Sequence, residues 1–261
     1  MIRAAVAAAA AALVLAGCGS PAAGPTDSVV RVAAASDLTF ALDGLADLLA
    51  VEHPGIVLRV TYGSSGQFAQ QLRNGAPFDL FLSADSAYVD GLVAEGLARP
   101  QDAFPYAVGR LVTWYPSLAP SDPGIAGLAD PSIGTVAIAN PDHAPYGRAA
   151  MVALESAGLG SVVGPKLVRG ENVAQAAEFA RTGNADAAII ALSLVIAGPL
   201  SDQGTWAEVP LDLYPRLDQS GVVLAAAEDP ASAEAVRDLI LSDQGRDVLQ
   251  RFGFSLPDDS P

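Results

Sequence analysis

Four short stretches of the chain set hydroxyls, amides and glycines directly after apolar runs. They are Ala35-Ser36-Asp37-Leu38, Tyr62-Gly63-Ser64-Ser65-Gly66-Gln67, Ala139-Asn140-Pro141-Asp142-His143-Ala144-Pro145-Tyr146-Gly147 and Gly170-Glu171-Asn172-Val173. Each leaves a β-like run and enters a helical one, so each carries the N–H groups of a helix's first turn, which have no partner inside the helix. Ser36 and Asn172 are N-cap residues by type and position, and Ser64 followed by Gln67 has capping-box spacing. Taken singly, such caps are ordinary structural devices. Facing one another across a cleft, they would surround a small anion with uncharged donors and positive helix ends, with no need for Lys or Arg.

Other chemistries fit less well. Gly63-Ser64-Ser65-Gly66 is not a nucleophile elbow, because Gln67 stands where the second glycine belongs. His143 beside Asp142 has no spacing that reads as a triad. One cysteine and two histidines (His53, His143) argue against a zinc site. Six tyrosines without an adjacent pair argue against an iron receptor. Any Schiff-base or phosphate-cradling lysine would have to be Lys166, the one lysine. With 14 basic residues against 29 acidic ones, a formal charge of −15 and a pI near 4.3, a basic groove for nucleic acid or a polybasic membrane patch is excluded. A hydrophobic content of 51% and a mean hydropathy of +0.34 exclude disorder for most of the chain.

The elements that must position these loops alternate between strand and helix. Val29–Ala35 reads as a buried strand, and Leu38, Leu42, Leu45 and Leu49, spaced by 4, 3 and 4, as one helix face. Strands are expected over 56–62, 78–83, 108–115, 135–139, 166–169, 187–191 and 221–227. Helices are expected over 67–74, 87–96, 147–157, 173–182, 232–241 and 244–252, and a proline-rich loop over 116–131. Such alternation argues for parallel sheets flanked by helices, with ligands beyond the carboxyl ends of strands. Two lobes fit the length: residues 28–106 with 215–261, and residues 107–214.

The amino terminus has a different task. Arg3 followed by an apolar run from Ala4 to Ala16 is a secretory signal, too short to span a bilayer. The run closes in Leu15-Ala16-Gly17-Cys18, which resembles the lipobox of bacterial lipoproteins. That resemblance implies cleavage after residue 17, acylation of Cys18 and a flexible tether over 18–27. Cleavage would remove Arg3 and no acid, taking the formal charge from −15 to −16.

The segments AAASDL (33–38), YGSSG (62–66), NGAPFDLFLSADSAYVDGL (74–92), NPDHAPYG (140–147), GENV (170–173), GNADAAIIALSLV (183–195) and RFGF (251–254) together resemble the molybdate-binding proteins of bacterial ABC importers. The resemblance spans Val29 to Phe254. It implies an α/β, two-lobed type II periplasmic-binding-protein fold, each lobe a mainly parallel sheet flanked by helices, with the ligand cleft between. It also implies that molybdate or tungstate is bound as an oxyanion by neutral donors. Ser36 and Ser65 would serve through hydroxyl and N–H, Tyr146 and Val173 mainly through backbone N–H. Some members add a tyrosine where this chain has Ala191, so the site makes one bond fewer or the Tyr146 side chain substitutes. The implied protein is a monomeric, lipid-anchored receptor outside the cytoplasmic membrane. It has no cofactor and no enzymatic activity, and it delivers ligand to permease subunits. Sulfate or another oxyanion is the alternative ligand.

Overall fold

The computed structural model describes residues 27–117 and 120–259. The expected signal peptide, Cys18 and tether residues 18–26 lie outside the described residues, as do Ser260 and Pro261.

Two five-stranded sheets organise the chain. The first contains β1 (Ser28–Ala35), β2 (Ile56–Gly63), β3 (Leu80–Ser83), β4 (Ala98–Gly109) and, from far along the chain, β10 (Leu217–Leu224), in the order β2-β1-β3-β10-β4. The second contains β5 (Leu111–Tyr115), β6 (Val136–Ala139), β7 (Leu167–Gly170), β8 (Ala187–Ala191) and β9 (Thr205–Glu208), in the order β7-β6-β8-β5-β9. The same plan recurs in both: three parallel strands, then two more that join by antiparallel pairing. Helices α1 (Thr39–Glu52), α2 (Ser65–Arg73), α3 (Ser86–Ala94), α8 (Pro230–Leu241) and α9 (Asp243–Arg251) accompany the first sheet. Helices α4 (Pro145–Ser156), α5 (Gly160–Val163), α6 (Val173–Arg181) and α7 (Leu192–Val195) accompany the second.

Parallel strands buried on both faces need continuous apolar runs, and β1, β3, β6 and β8 supply them. Leu38, Leu42, Leu45 and Leu49 turn one face of α1 and its entry turn onto the first sheet and are buried, each contributing roughly 1.5–3 kcal/mol. The core of the second lobe reaches across the cleft to include Ala35 and Ala84 of the first, so the lobes are closed on each other.

Several sequence expectations shift. The expected strand over 108–115 is two strands broken at Arg110. Ala107, Val108 and Gly109, expected in the second lobe, pair with Gln219, Asp218 and Leu217 in the first sheet. β4 and β9 were not anticipated. Both are edge strands, where prolines such as Pro100 and Pro105 are tolerated and continuous apolar sequence is not required. β10 begins four residues before the expected strand, through polar Asp218 and Gln219.

Candidate functional site

The ends of β1, β2, β3, β6 and β7 meet at a small cavity of about 10 Å³ between the lobes. The first lobe contributes Ala35, Ser36 and Asp37 after β1, Gly63, Ser64 and Ser65 between β2 and α2, and Ala84 after β3. The second contributes Ala144, Pro145 and Tyr146 at the start of α4, and Asn172 and Val173 at the start of α6. Ser36, Ser65, Tyr146 and Val173, the residues singled out from the sequence, therefore line one cavity. Ala191 is not among its lining residues; it is buried at the end of β8.

Three helices begin at this wall, and their first-turn N–H groups at Ser65, Tyr146 and Val173 have no intrahelical acceptor. No side chain caps α2 or α4. Asn172 caps α6 by accepting from the Gln175 N–H at 3.0 Å, which leaves the Val173 N–H uncapped. The Ser65 hydroxyl accepts from the Ala84 N–H at 3.0 Å, so its own hydrogen is free for another partner. Among the described residues, no lysine or arginine lines the cavity. Gly147 lets α4 start this close: a Cβ there would lie 2.2 Å from the Ala139 carbonyl oxygen at the end of β6.

Two expected caps are spent differently. Ser36 is not the N-cap of α1, because a 3-10 turn over Ser36–Leu38 intervenes. Its hydroxyl instead donates to Asn172 Oδ1 at 3.1 Å and accepts from the Ala174 N–H at 3.3 Å, serving the first turn of the opposite lobe's α6. The Ser64–Gln67 capping box does not form. Closure gives both side chains partners across the cleft: Ser64 Oγ donates to the His143 carbonyl at 2.7 Å, and Gln67 Nε2 to Glu171 Oε2 at 2.7 Å.

Ser64 Oγ also lies 2.8 Å from His143 Nδ1, the one arrangement here that looks like a nucleophile with its base. Asn140 Nδ2 lies 3.1 Å and Glu171 Oε2 3.6 Å from His143 Nε2. The Ser64 hydrogen is already donated to the His143 carbonyl, so it is not aimed at the imidazole.

The residue that sequence reasoning passed over is Asp37. It is fully buried in the cavity wall, and its Oδ2 accepts from Tyr146 Oη at 3.0 Å and from Gln219 Nε2 at 2.6 Å. Gln219 Oε1 accepts in turn from Tyr106 Oη at 2.8 Å, and the Asp37 carbonyl accepts from Ser193 Oγ at 2.7 Å. Oδ1 has no partner among the described residues. Burial pushes this carboxyl up to about 6, against the lowering effect of the bonds from Gln219 and Tyr146. Burial, with Asp37 adding to it, also holds the Tyr146 phenol well above its usual range. The Tyr146 hydroxyl is thus committed to Asp37. The available signal in the sequence was an acid inside the apolar run AAASDL.

The family of bacterial extracellular solute-binding proteins matches residues 30–255. The chain belongs to this family. It is 38% identical over 206 residues to the molybdate-binding protein ModA of Rhodobacter capsulatus, covering 79% of this chain and 80% of that one. It is 36% identical over 228 residues to ModA of Azotobacter vinelandii, covering 87% and 90%. The solved periplasmic molybdate-binding protein of Azotobacter vinelandii superposes with a TM-score of 0.81 at 29% identity, over 88% of this chain and all of the other.

In this solute-binding protein the closed cleft is held at its rim as well as at its centre. Arg148 of α4 reaches Asp85 Oδ2 at 2.5 Å and Tyr88 Oη at 2.8 Å on the first lobe, its guanidinium 5.3 Å from the Tyr88 ring centroid. The Gly66 N–H donates to the His143 carbonyl at 3.0 Å. The contacts at the wall and the rim join the two lobes only while they are closed.

Proposed function

We propose that the protein captures molybdate or tungstate between its lobes and delivers it to the permease subunits of an ABC importer. One observation carries this reading: the first turns of three helices and two serines converge on one small cavity between the lobes, lined by no cationic side chain among the described residues. An oxyanion fits such a wall because each ligand oxygen accepts from an N–H or O–H, and the helix ends supply positive potential without a counter-charge. The donors serve the oxygen atoms; none ligates the metal. Hydrogen bonds to a charged partner contribute roughly 1.5–3 kcal/mol each, so a handful of them supports affinity of about −8 kcal/mol or better, the submicromolar range. Size sets selectivity: sulfate has shorter bonds and leaves donors spaced for molybdate underused. The names of the relatives in Rhodobacter capsulatus and Azotobacter vinelandii support the same ligand.

On this reading the protein binds and hands over its ligand without transforming it. It works as a monomer, held to the outer face of the membrane by a lipid on Cys18, and the permease recognises the closed form. Because a ligand that binds only the folded state raises stability, molybdate and tungstate should raise the melting temperature well above any effect of equimolar sulfate or phosphate. A flat response to both metal oxyanions at millimolar concentration would contradict the proposal.

A further inference from the structure

The wall of the cavity contains one group that does not belong among neutral donors. Asp37 is fully buried, lines the cavity beside Ser36, and has one oxygen fully engaged by Tyr146 and Gln219 while the other has no partner. An ionised carboxylate in this wall would lie near a bound dianion, and like charges in a desolvated site repel strongly. A neutral carboxylic acid would have the opposite effect, because its O–H is one more donor. Resting on the oxyanion reading above, we propose that Asp37 is a further binding residue, which takes up a proton as the ligand enters and donates a hydrogen bond from Oδ1 to an oxygen of the oxyanion.

The surroundings favour this state. Oδ2 already accepts two hydrogen bonds, so the acid proton belongs on Oδ1. The titratable groups facing Asp37 are the phenols of Tyr146 on α4 and Tyr106 on β4, both held neutral by burial. The charged residues on neighbouring elements are engaged or point away. Arg148 of α4 pairs with Asp85, Arg99 and Asp102 of β4 pair with each other, and Asp218 of β10 pairs with Arg216. Glu178 and Arg181 of α6 pair with each other, and Asp43, Asp47 and Glu52 of α1 are exposed. Helix α7, which carries Ser193, has no charged residue. In the closed arrangement burial raises the Asp37 carboxyl to about 6, which leaves it mainly ionised at about pH 7.5 until a bound dianion raises it further.

The test is titration calorimetry of the full-length protein with sodium molybdate, from about pH 6 to about pH 8.5, in buffers of differing ionisation enthalpy. The expected result is uptake of close to one proton per bound ion at about pH 7.5, with affinity weakening up to about tenfold per pH unit above 6 and levelling below it. Asp37→Asn, whose amide donates at any pH, should bind without proton uptake and with a flat pH profile, and more tightly than the wild type at about pH 8.5. Molybdate binding without proton uptake in the wild type would overturn the role of Asp37 while leaving the oxyanion reading intact. Tighter binding of hydrogen phosphate at high pH would also overturn it, by making Asp37 an ionised acceptor. Absence of molybdate binding at every pH would overturn both. Should Asp37→Asn fail to fold, His143→Gln separates the two titratable groups at the site: proton uptake retained in that variant supports Asp37, and uptake lost with it overturns the role of Asp37.

Discussion

Ser36 and Ser65 hold their positions for different reasons, and their truncation should separate binding from folding. The Ser65 hydroxyl satisfies the buried Ala84 N–H, so Ser65→Ala leaves that donor unpaired and should lower stability by about 1–3 kcal/mol in addition to weakening molybdate binding. The Ser36 hydroxyl bonds only across the cleft, to Asn172 and Ala174, so Ser36→Ala should leave the ligand-free protein's stability within about 1 kcal/mol of wild type. Its cost should fall on affinity, roughly 10- to 100-fold for one lost hydrogen bond to a charged ligand. Denaturant unfolding and calorimetry on both variants check this. Equal losses of stability would contradict the assignment of Ser36 to the closed interface. The loops that carry both serines were legible in the sequence because they follow apolar strands, and the family resemblance pointed to the two residues within them. Asp37 was not legible, because its consequence depends on burial between β10 and α4, which join this turn from 182 and 109 residues away.

At the scale of elements, the site is a set of helix starts pressed against strand ends, and glycine decides how closely they approach. A Cβ on Gly66 would lie 2.6 Å from the His143 carbonyl of the opposite lobe and 2.6 Å from the Tyr88 hydroxyl of its own. The tyrosine can rotate away, but the carbonyl belongs to backbone. Gly66→Ala should therefore hinder closure and weaken molybdate binding by tenfold or more, about 1.4 kcal/mol, while the open protein folds and melts as the wild type does. Small-angle scattering with saturating ligand would read the incomplete closure; full closure with unchanged affinity would contradict it. The central strands and leucine-faced α1 were legible in the sequence because burial on both faces, or along one, imposes apolar periodicity. Edge strands β4 and β9 were not, since an edge strand needs neither. The capping box at Ser64 and Gln67 misled for a related reason: its local pattern is satisfied by tertiary partners, and only the closed lobes supply them.

Across the whole molecule, acidic charge and uptake of a dianion are reconciled by distance. A formal charge of −15 repels the ligand in general, but at physiological salt the field of surface charges fades over about 8 Å, while helix dipoles act at contact. Repetition of one sheet plan in both lobes brings first-turn N–H groups from each to the same cavity. The alternation of strands and helices carried the two-lobed plan in the sequence; the points of crossing, at Arg110 and ahead of β10, emerged only from strand pairing. The most direct test of oxyanion capture is titration calorimetry of the ligand-free protein with molybdate, repeated in excess sulfate. One ion bound per chain with submicromolar affinity, undiminished by sulfate, is the result expected. No binding heat, or displacement of molybdate by equimolar sulfate, would contradict the account.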